Sequence, residues 1–308
     1  MKCAIVGNGN QSKRIQKILR KKSLEFYVYS PKNKNYYNSV ELEKLKKFQV
    51  VFILSPNNSH LKYVKNNYKN SYIFCEKPPV NSLKELKILK KLKSNKLFFN
   101  YNHRFSSICE IIKKSVNKFK LGQLVHANII SSHGLAQKKI YPNNWRSNKN
   151  KSPKGVFETV SIHWIDMINY LFGIKNISQA DLFNLSKKGS AYDTSNIRLI
   201  TKNNSIVNIF STYNSSYYSE KLFLFENGLI IQSKNSIRIH GPTATYDSDG
   251  NFKFPNLITE FKIKEKDDYV KSIEKSVSYF LYHSKKKKKF KKKLYECSLE
   301  SNSIAIKN

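Results

Sequence analysis

The chain has 308 residues, 40% hydrophobic and 13% aromatic, which is enough apolar material for two cores and excludes a disordered polypeptide. No uninterrupted apolar run approaches the ~18–20 residues of a membrane span, and the chain opens straight into a strand with no room for a signal peptide, so the expected location is the cytoplasm. The formal net charge of +35 rests on lysine, with six arginines in all, which describes solvated lysine faces rather than a nucleic-acid reader; nucleic acid is not an expected partner.

The first predicted element is a buried strand, Cys3–Val6, because the run is short, apolar and β-prone. Gly7-Asn8-Gly9-Asn10-Gln11-Ser12 follows at once. Ile15, Ile18 and Leu19 then recur at helical spacing along Ser12–Leu24. Strand, glycine turn and helix start form the arrangement that cradles a pyrophosphate: Gly7 makes the turn, Gly9 lets backbone approach the phosphates, and the helix N-terminus offers N–H groups. Ser12 stands where the third glycine of the usual fingerprint would be.

A second strand is expected at Leu24–Tyr29. Its end, Tyr29-Ser30-Pro31-Lys32, lacks the carboxylate that normally accepts from the adenosine ribose, so a 2′-phosphate is tolerated and the cofactor is NAD or NADP. Val40, Leu42 and Leu45 suggest a short helix. Val50–Leu54 reads as a central parallel strand that ends in Ser55-Pro56-Asn57-Asn58-Ser59-His60, and a helix follows with Leu61 and Val64 inward. Tyr72–Cys75 runs into Glu76-Lys77-Pro78-Pro79. Ser82 and Glu85 form a capping box for a helix presenting Leu83, Leu86 and Leu89. Leu97–Tyr101 is the next strand; Ser107 and Glu110 cap a helix bearing Ile108, Ile111 and Ile112.

This alternation predicts a doubly wound parallel α/β domain over 1–120. Beyond it the pattern changes to strands near 124–132, 178–186, 193–200, 205–212, 220–226 and 228–233, one long helix at Glu158–Phe172 and a helical tail near 268–283. Residues 121–308 are therefore expected to form an α+β domain on a mostly antiparallel open sheet, for substrate binding and oligomerisation. Asn148–Lys154 reads as a mobile loop. Cys3, Cys75, Cys109 and Cys297 have no metal-ligand or redox spacing, so free thiols and no metal site are expected. Lys285–Lys293, broken by Phe290, is the densest basic run. His60 and His103 read as loop residues around the cofactor. Tyr141, Trp145 and Arg146 form a cluster that either stacks on a sugar ring or grips a phosphate, or is ordinary aromatic packing.

Taken in order, Gly7-Asn8-Gly9 with Arg14, Ser55-Pro56-Asn57 with His60, Glu76-Lys77-Pro78, Arg104-Phe105, Gly122-Gln123-Leu124, and His163-Trp164-Ile165-Asp166 with Leu171-Phe172-Gly173 resemble the Gfo/Idh/MocA family, named for glucose–fructose oxidoreductase and inositol dehydrogenase. The resemblance covers nearly the whole chain. It implies that Lys77 stands beside the nicotinamide and the substrate hydroxyl, with Glu76 near the nicotinamide ribose and Arg104 among the cofactor-binding residues. It implies that His163 takes the proton as hydride leaves, a role suited to imidazole. Asp166, one turn on, reads as holding the helix or orienting a neighbour. The family commonly carries an aspartate four residues before this histidine. Here that position is Thr159, placed at the substrate, and Glu158 is one residue early, out of phase for an α-helix turning ~100° per residue. The implied activity is NAD(P)-dependent hydride transfer at a hydroxyl or keto carbon of a sugar, cyclitol or nucleotide-sugar. Two alternatives stay open: a cofactor-binding sensor without turnover, and a glycosidase or lyase that recycles its NAD. The resemblance also implies a homodimer or homotetramer.

Overall fold

The computed structural model describes residues 1–31, 39–92, 95–241 and 246–307; Lys32, at the expected end of the second strand, lies outside them. The chain divides into two compact units, 1–102 with 273–307, and 103–272.

The first unit is built on β1 (Cys3–Val6), α1 (Asn10–Lys21), β2 (Phe26–Tyr29), β3 (Val50–Ile53), α2 (His60–Asn67), β4 (Tyr72–Glu76), α3 (Leu83–Lys91) and β5 (Leu97–Asn100). The strands pair in parallel in the order β2-β1-β3-β4-β5. The order reverses between β1 and β3, the switch point at whose carboxyl end such sheets bind ligands. Ile15, Ile18, Leu19, Val64, Leu86 and Leu89 are buried as their spacing requires. Leu83 departs from expectation and is exposed, because it opens the first turn of α3. The Ser82 hydroxyl accepts from the Glu85 amide at 3.2 Å, while the Glu85 carboxylate accepts from Asn81 rather than from Ser82. The segment after Val40 is a single 3-10 turn, Glu43–Lys47, around buried Leu45.

The second unit holds α4 (Ser107–Lys118), β6 (Leu124–Ser132), α5 (Ile162–Phe172), β7 (Ile174–Phe183), β8 (Thr194–Thr201), β9 (Ile206–Thr212), β10 (Tyr218–Phe225), β11 (Gly228–Ser233), β12 (Ser236–His240), β13 (Leu257–Lys262) and the start of α6 (Glu265–Lys285). Its eight strands run β13-β12-β11-β10-β6-β9-β8-β7; β6 and β9 pair in parallel and the other neighbours are antiparallel. Strands β12 and β13 extend the sheet beyond the elements read from sequence. The cap of α4 is Ser106, one residue before the expected Ser107; the Ser106 hydroxyl accepts from the Cys109 amide, and Ser107 donates its amide and hydroxyl to Asp268.

The tail also departs from the reading that kept 121–308 together. Residues 273–307 group with the first unit. In that unit the Phe280 ring of α6 lies 5.3 Å from both Phe52 and Phe74, and Phe290 stacks on Phe280 at 5.7 Å. The Asn302 amide of α7 (Lys292–Lys307) exchanges hydrogen bonds with both backbone groups of Val80. The apolar face of the parallel sheet is covered by aromatic side chains that arrive last in the sequence. The basic run is organised around this contact: Phe290 is buried and Lys285–Lys289 and Lys291–Lys293 are exposed. All four cysteines are buried, free thiols.

Candidate functional site

In the first unit the turn after β1 is shaped by sterics. Gly7 has φ +100°, its amide donates to Tyr29 O at 2.8 Å, and a Cβ there would sit 2.8 Å from Leu54 O of the strand next door. Glycine alone fits where β1 and β3 meet. Gly9 is the N-cap of α1 and supplies no side-chain hydrogen bond; the first turn holds no acidic residue, and a Cβ on Gly9 would meet nothing within 4 Å. The helix end thus presents amide donors beside open space, the chemistry a pyrophosphate requires. Asn8 is steadied by Gln16, whose amide donates to the Asn8 side chain at 3.3 Å and to the Ser12 hydroxyl at 3.0 Å. Ser12 is fully buried, so it fills the close-packing position of the third glycine.

Gln11 and Asn100 reach across to the end of β4. Their amides donate to one oxygen of the Glu76 carboxylate at 2.9 and 2.7 Å, Arg14 donates to Gln11, and Ser276 donates to Asn100. Burial holds the Glu76 carboxyl above its ordinary range, opposed by the Asn100 and Gln11 hydrogen bonds and the charge of Lys77. Lys77 follows, half-buried, on the loop before Pro78. His60 is fully buried with Nδ1 at 2.8 Å from Pro78 O and Nε2 at 3.0 Å from Ser55 O. It ties the loop after β3 to the loop carrying Lys77. Burial lowers its pKa, against the two backbone carbonyls that favour the charged ring. Ser55 shares a hydroxyl contact with Ser59 at 2.7 Å, and Ser59 donates to Pro56 O; Pro56 is exposed and Asn57 and Ser30 are half-buried.

In the second unit the helix bearing His163 begins with a π segment, Phe157–Ser161, that runs into α5. Gly155, ahead of it, has φ +52° and sits so close to Tyr192 that a Cβ would fall 1.8 Å from Tyr192 O. The i→i+5 bonding of a π turn changes the phase assumed from sequence. Glu158, five residues before His163, is no longer separated from it by the α-helical angle, and both are half-buried. Glu158 accepts from Ser152 at 2.5 Å, and Asn148–Lys154 is knit by backbone bonds from Lys151 and Ser152 to Asn148 O.

Thr159 is buried; its hydroxyl donates to Gly155 O at 2.7 Å and bonds to the Tyr213 hydroxyl. Around Tyr213 the structure gathers the other expected substrate residues. Tyr141 lies edge-on at 6.2 Å, Arg146 hydrogen-bonds the phenol, and the Arg146 guanidinium sits 4.5 Å over the Trp145 ring. Burial raises the Tyr213 pKa, with the Arg146 charge and the Thr159 bond opposing it. Sequence reading missed Tyr213 and His133, whose rings lie 4.6 Å apart. No local signal marks either, because they reach the cluster from separate strand ends.

Arg104, expected among cofactor ligands, is turned to Asp166. Its Nε and Nη2 donate to the two carboxylate oxygens at 2.7 and 2.6 Å. His103 stacks on His163 with centroids 4.5 Å apart and planes at 25°, and meets the Trp164 ring at 4.2 Å. Trp164 in turn lies 5.3 Å from the Lys221 ammonium, which is buried with Glu265 at 2.6 Å. Among the described residues no group of three or more His, Cys, Asp or Glu could hold a metal ion, and no helix is long and apolar enough to cross a membrane.

A doubly wound parallel sheet with a glycine turn after its first strand, followed by an α+β unit on an open, mostly antiparallel sheet, defines the class of two-unit α/β proteins to which the fold belongs. Residues 110–247 match the family model described as the GFO/IDH/MocA C-terminal domain. It is 27% identical over 161 residues to glucose-6-phosphate 3-dehydrogenase of Bacillus subtilis (strain 168), a match spanning 50% of this chain and 45% of that protein. The fold is similar to that of levoglucosan dehydrogenase solved with NADH and levoglucosan (TM-score 0.79, 14% identity, 99% of this chain and 95% of that one). It is also similar to a putative myo-inositol dehydrogenase from Sinorhizobium meliloti 1021 (TM-score 0.75, 17% identity, 99% and 95%).

Proposed function

We propose that the protein is an NAD(P)-dependent oxidoreductase that moves a hydride between nicotinamide and a hydroxyl-bearing carbon of a sugar or cyclitol. The observation that carries this reading is the uncapped start of α1 beside Gly9, where amide donors and open space await a pyrophosphate. The family match supports it, as do relatives whose names state dehydrogenation of glucose 6-phosphate and a complex with NADH and levoglucosan.

When bound, the nicotinamide accepts or returns the hydride. The chain does the rest. Gly7–Ser12 hold the phosphates, with Ser30, Ser55, Pro56, Asn57, His60 and Arg104 shaping the remainder of the cofactor site, and Glu76 bonds the nicotinamide ribose. The ammonium of Lys77 donates to the reacting oxygen and stabilises negative charge on it. In oxidation the C–H pair leaves as hydride and His163 takes the O–H proton. Tyr141, Trp145, Arg146 and Thr159 bind the substrate, and Arg146 with its lysine-rich surroundings favours a phosphorylated sugar. The stretch Tyr29-Ser30-Pro31-Lys32 carries no carboxylate in sequence to oppose a 2′-phosphate, so either dinucleotide is accepted.

The proposal extends to a homodimer or homotetramer in the cytoplasm. Half-exposed Ile130, Phe210, Leu222 and Leu224 lie on the sheet face opposite the Phe223 side that meets Phe172 of α5, and support self-association there. The test is a thermal-shift and turnover screen of purified protein with NAD(H) and NADP(H) against glucose 6-phosphate, myo-inositol and levoglucosan. The expected result is a cofactor shift and steady NAD(P)H formation, lost in Lys77→Ala and His163→Ala while the shift persists. No shift with either dinucleotide overturns the reading.

A further inference from the structure

The stacked rings of His103 and His163 carry a consequence for protonation. Two imidazolium rings with centroids 4.5 Å apart repel, whereas one charged and one neutral ring do not. The His103 ring also meets the Trp164 ring, tilted by 52° with centroids 4.2 Å apart, so two aromatic contacts restrain it. Several charged groups of this unit near the pair have partners of their own. Asp166 of α5 is closed by Arg104; Lys221 of β10, reaching the pair through Trp164, is closed by Glu265 of α6. Asp268 of α6 accepts from Ser107, and Glu158 of the π segment accepts from Ser152 and faces Lys154.

We propose that His103 is a positioning residue for His163: the stacked imidazoles hold one proton between them, and His163 is thereby kept neutral and able to accept a proton at a pH where a lone imidazole is half-charged. This rests on the reading of His163 as the base. His103 touches no reacting atom in this account. It acts by fixing the plane of its neighbour and by competing for the same proton, so the pair titrates as a unit.

The test follows the imidazole resonances of the 15N-labelled full chain, without cofactor, across the pH range; His163→Asn and His103→Phe identify two of the seven histidines. Phenylalanine keeps a flat ring and removes the second titrating group. The expected result is a His163 midpoint about one pH unit higher in His103→Phe than in the wild type, an approximately tenfold gain in proton affinity. Equal midpoints overturn the proposal. Should His103→Phe fail to fold, the wild type decides: biphasic curves that track each other support a shared proton, and two independent one-step curves overturn it. In turnover, the acid limb of the rate profile moves to higher pH in His103→Phe, whereas a merely structural role lowers the rate without moving the limb. An inactive wild-type protein would sink the dehydrogenase reading and leave the imidazole titration standing, so the two failures are separable.

Discussion

Arg104 and Asp166 are joined by two charge-assisted hydrogen bonds, 2.7 and 2.6 Å, with the guanidinium side chain 3% and the carboxylate 0% exposed. The pair ties the turn after β5 to the middle of α5. The Tyr170 ring lies 5.3 Å from the same guanidinium, and Asp166 is its anionic partner on α5. Removing one member of such a pair leaves the other charge buried. Asp166→Asn is therefore expected to destabilise the protein by about 3 kcal/mol. Urea unfolding measures it, and a change within about 0.5 kcal/mol would contradict the arrangement.

Gly9 supplies a sharper test of the proposed phosphate site. A side chain there meets no atom within 4 Å, so Gly9→Asp folds and gains an N-cap carboxylate worth a few tenths of a kcal/mol. That carboxylate would compete with a pyrophosphate for the same amides. Thermal stability without ligand is expected to hold or rise, while the stabilisation by NADH falls at least about tenfold in apparent affinity.

His60 makes stability depend on acid. Burial lowers its folded pKa below the ordinary 6.5, so below that pH the unfolded chain takes up a proton that the native ring does not. Stability is thus full above about pH 6.5 and is lost as the pH falls, by up to ~1.4 kcal/mol per pH unit until the native ring also titrates. Urea midpoints for the wild type and His60→Gln at a series of pH values isolate this contribution. The difference between the two proteins is expected to shrink on acidification.

Thr159→Val keeps shape and removes the hydroxyl that bonds Tyr213 and Gly155 O. The loss leaves a buried phenol without one partner and costs about 1–2 kcal/mol. In turnover assays the variant is expected to raise KM more than it lowers kcat, since the proposed role of Thr159 is substrate binding beside Tyr213 and not proton transfer.

Much of the first unit was legible because its signals are local. A strand of four residues, two glycines and an apolar helix stripe fall within the first twenty positions, and the Ser82–Glu85 cap spans three residues. The second unit was legible as a change of rhythm, from alternating helices and strands to successive strands. What escaped reading depends on distance or on phase. Lys221 and Glu265 meet across 44 positions. The turn of π-helix before α5 leaves no mark in a spacing pattern, because a single extra residue per turn shifts the phase without changing the residue types. The cap at Ser106 rather than Ser107 was decided by Asp268, which claims Ser107 from far along the chain. The helix α7 was hidden because its polar face and the preceding lysines blur the apolar period, although Leu294, Cys297, Leu299 and Ala305 are buried.

The aromatic seal of Phe280 and Phe290 over Phe52, Phe74 and Phe98 has a bearing on how the polypeptide is made. A ribosome delivers the five parallel strands first, the last ending at Asn100, with their ring-lined surface bare, and must then continue to Phe280 before the covering side chains emerge. Through that interval the nascent chain carries a sticky half-finished layer, the kind of intermediate that chaperones shield. A message truncated before Phe280 would therefore yield an aggregating fragment and not a smaller soluble domain.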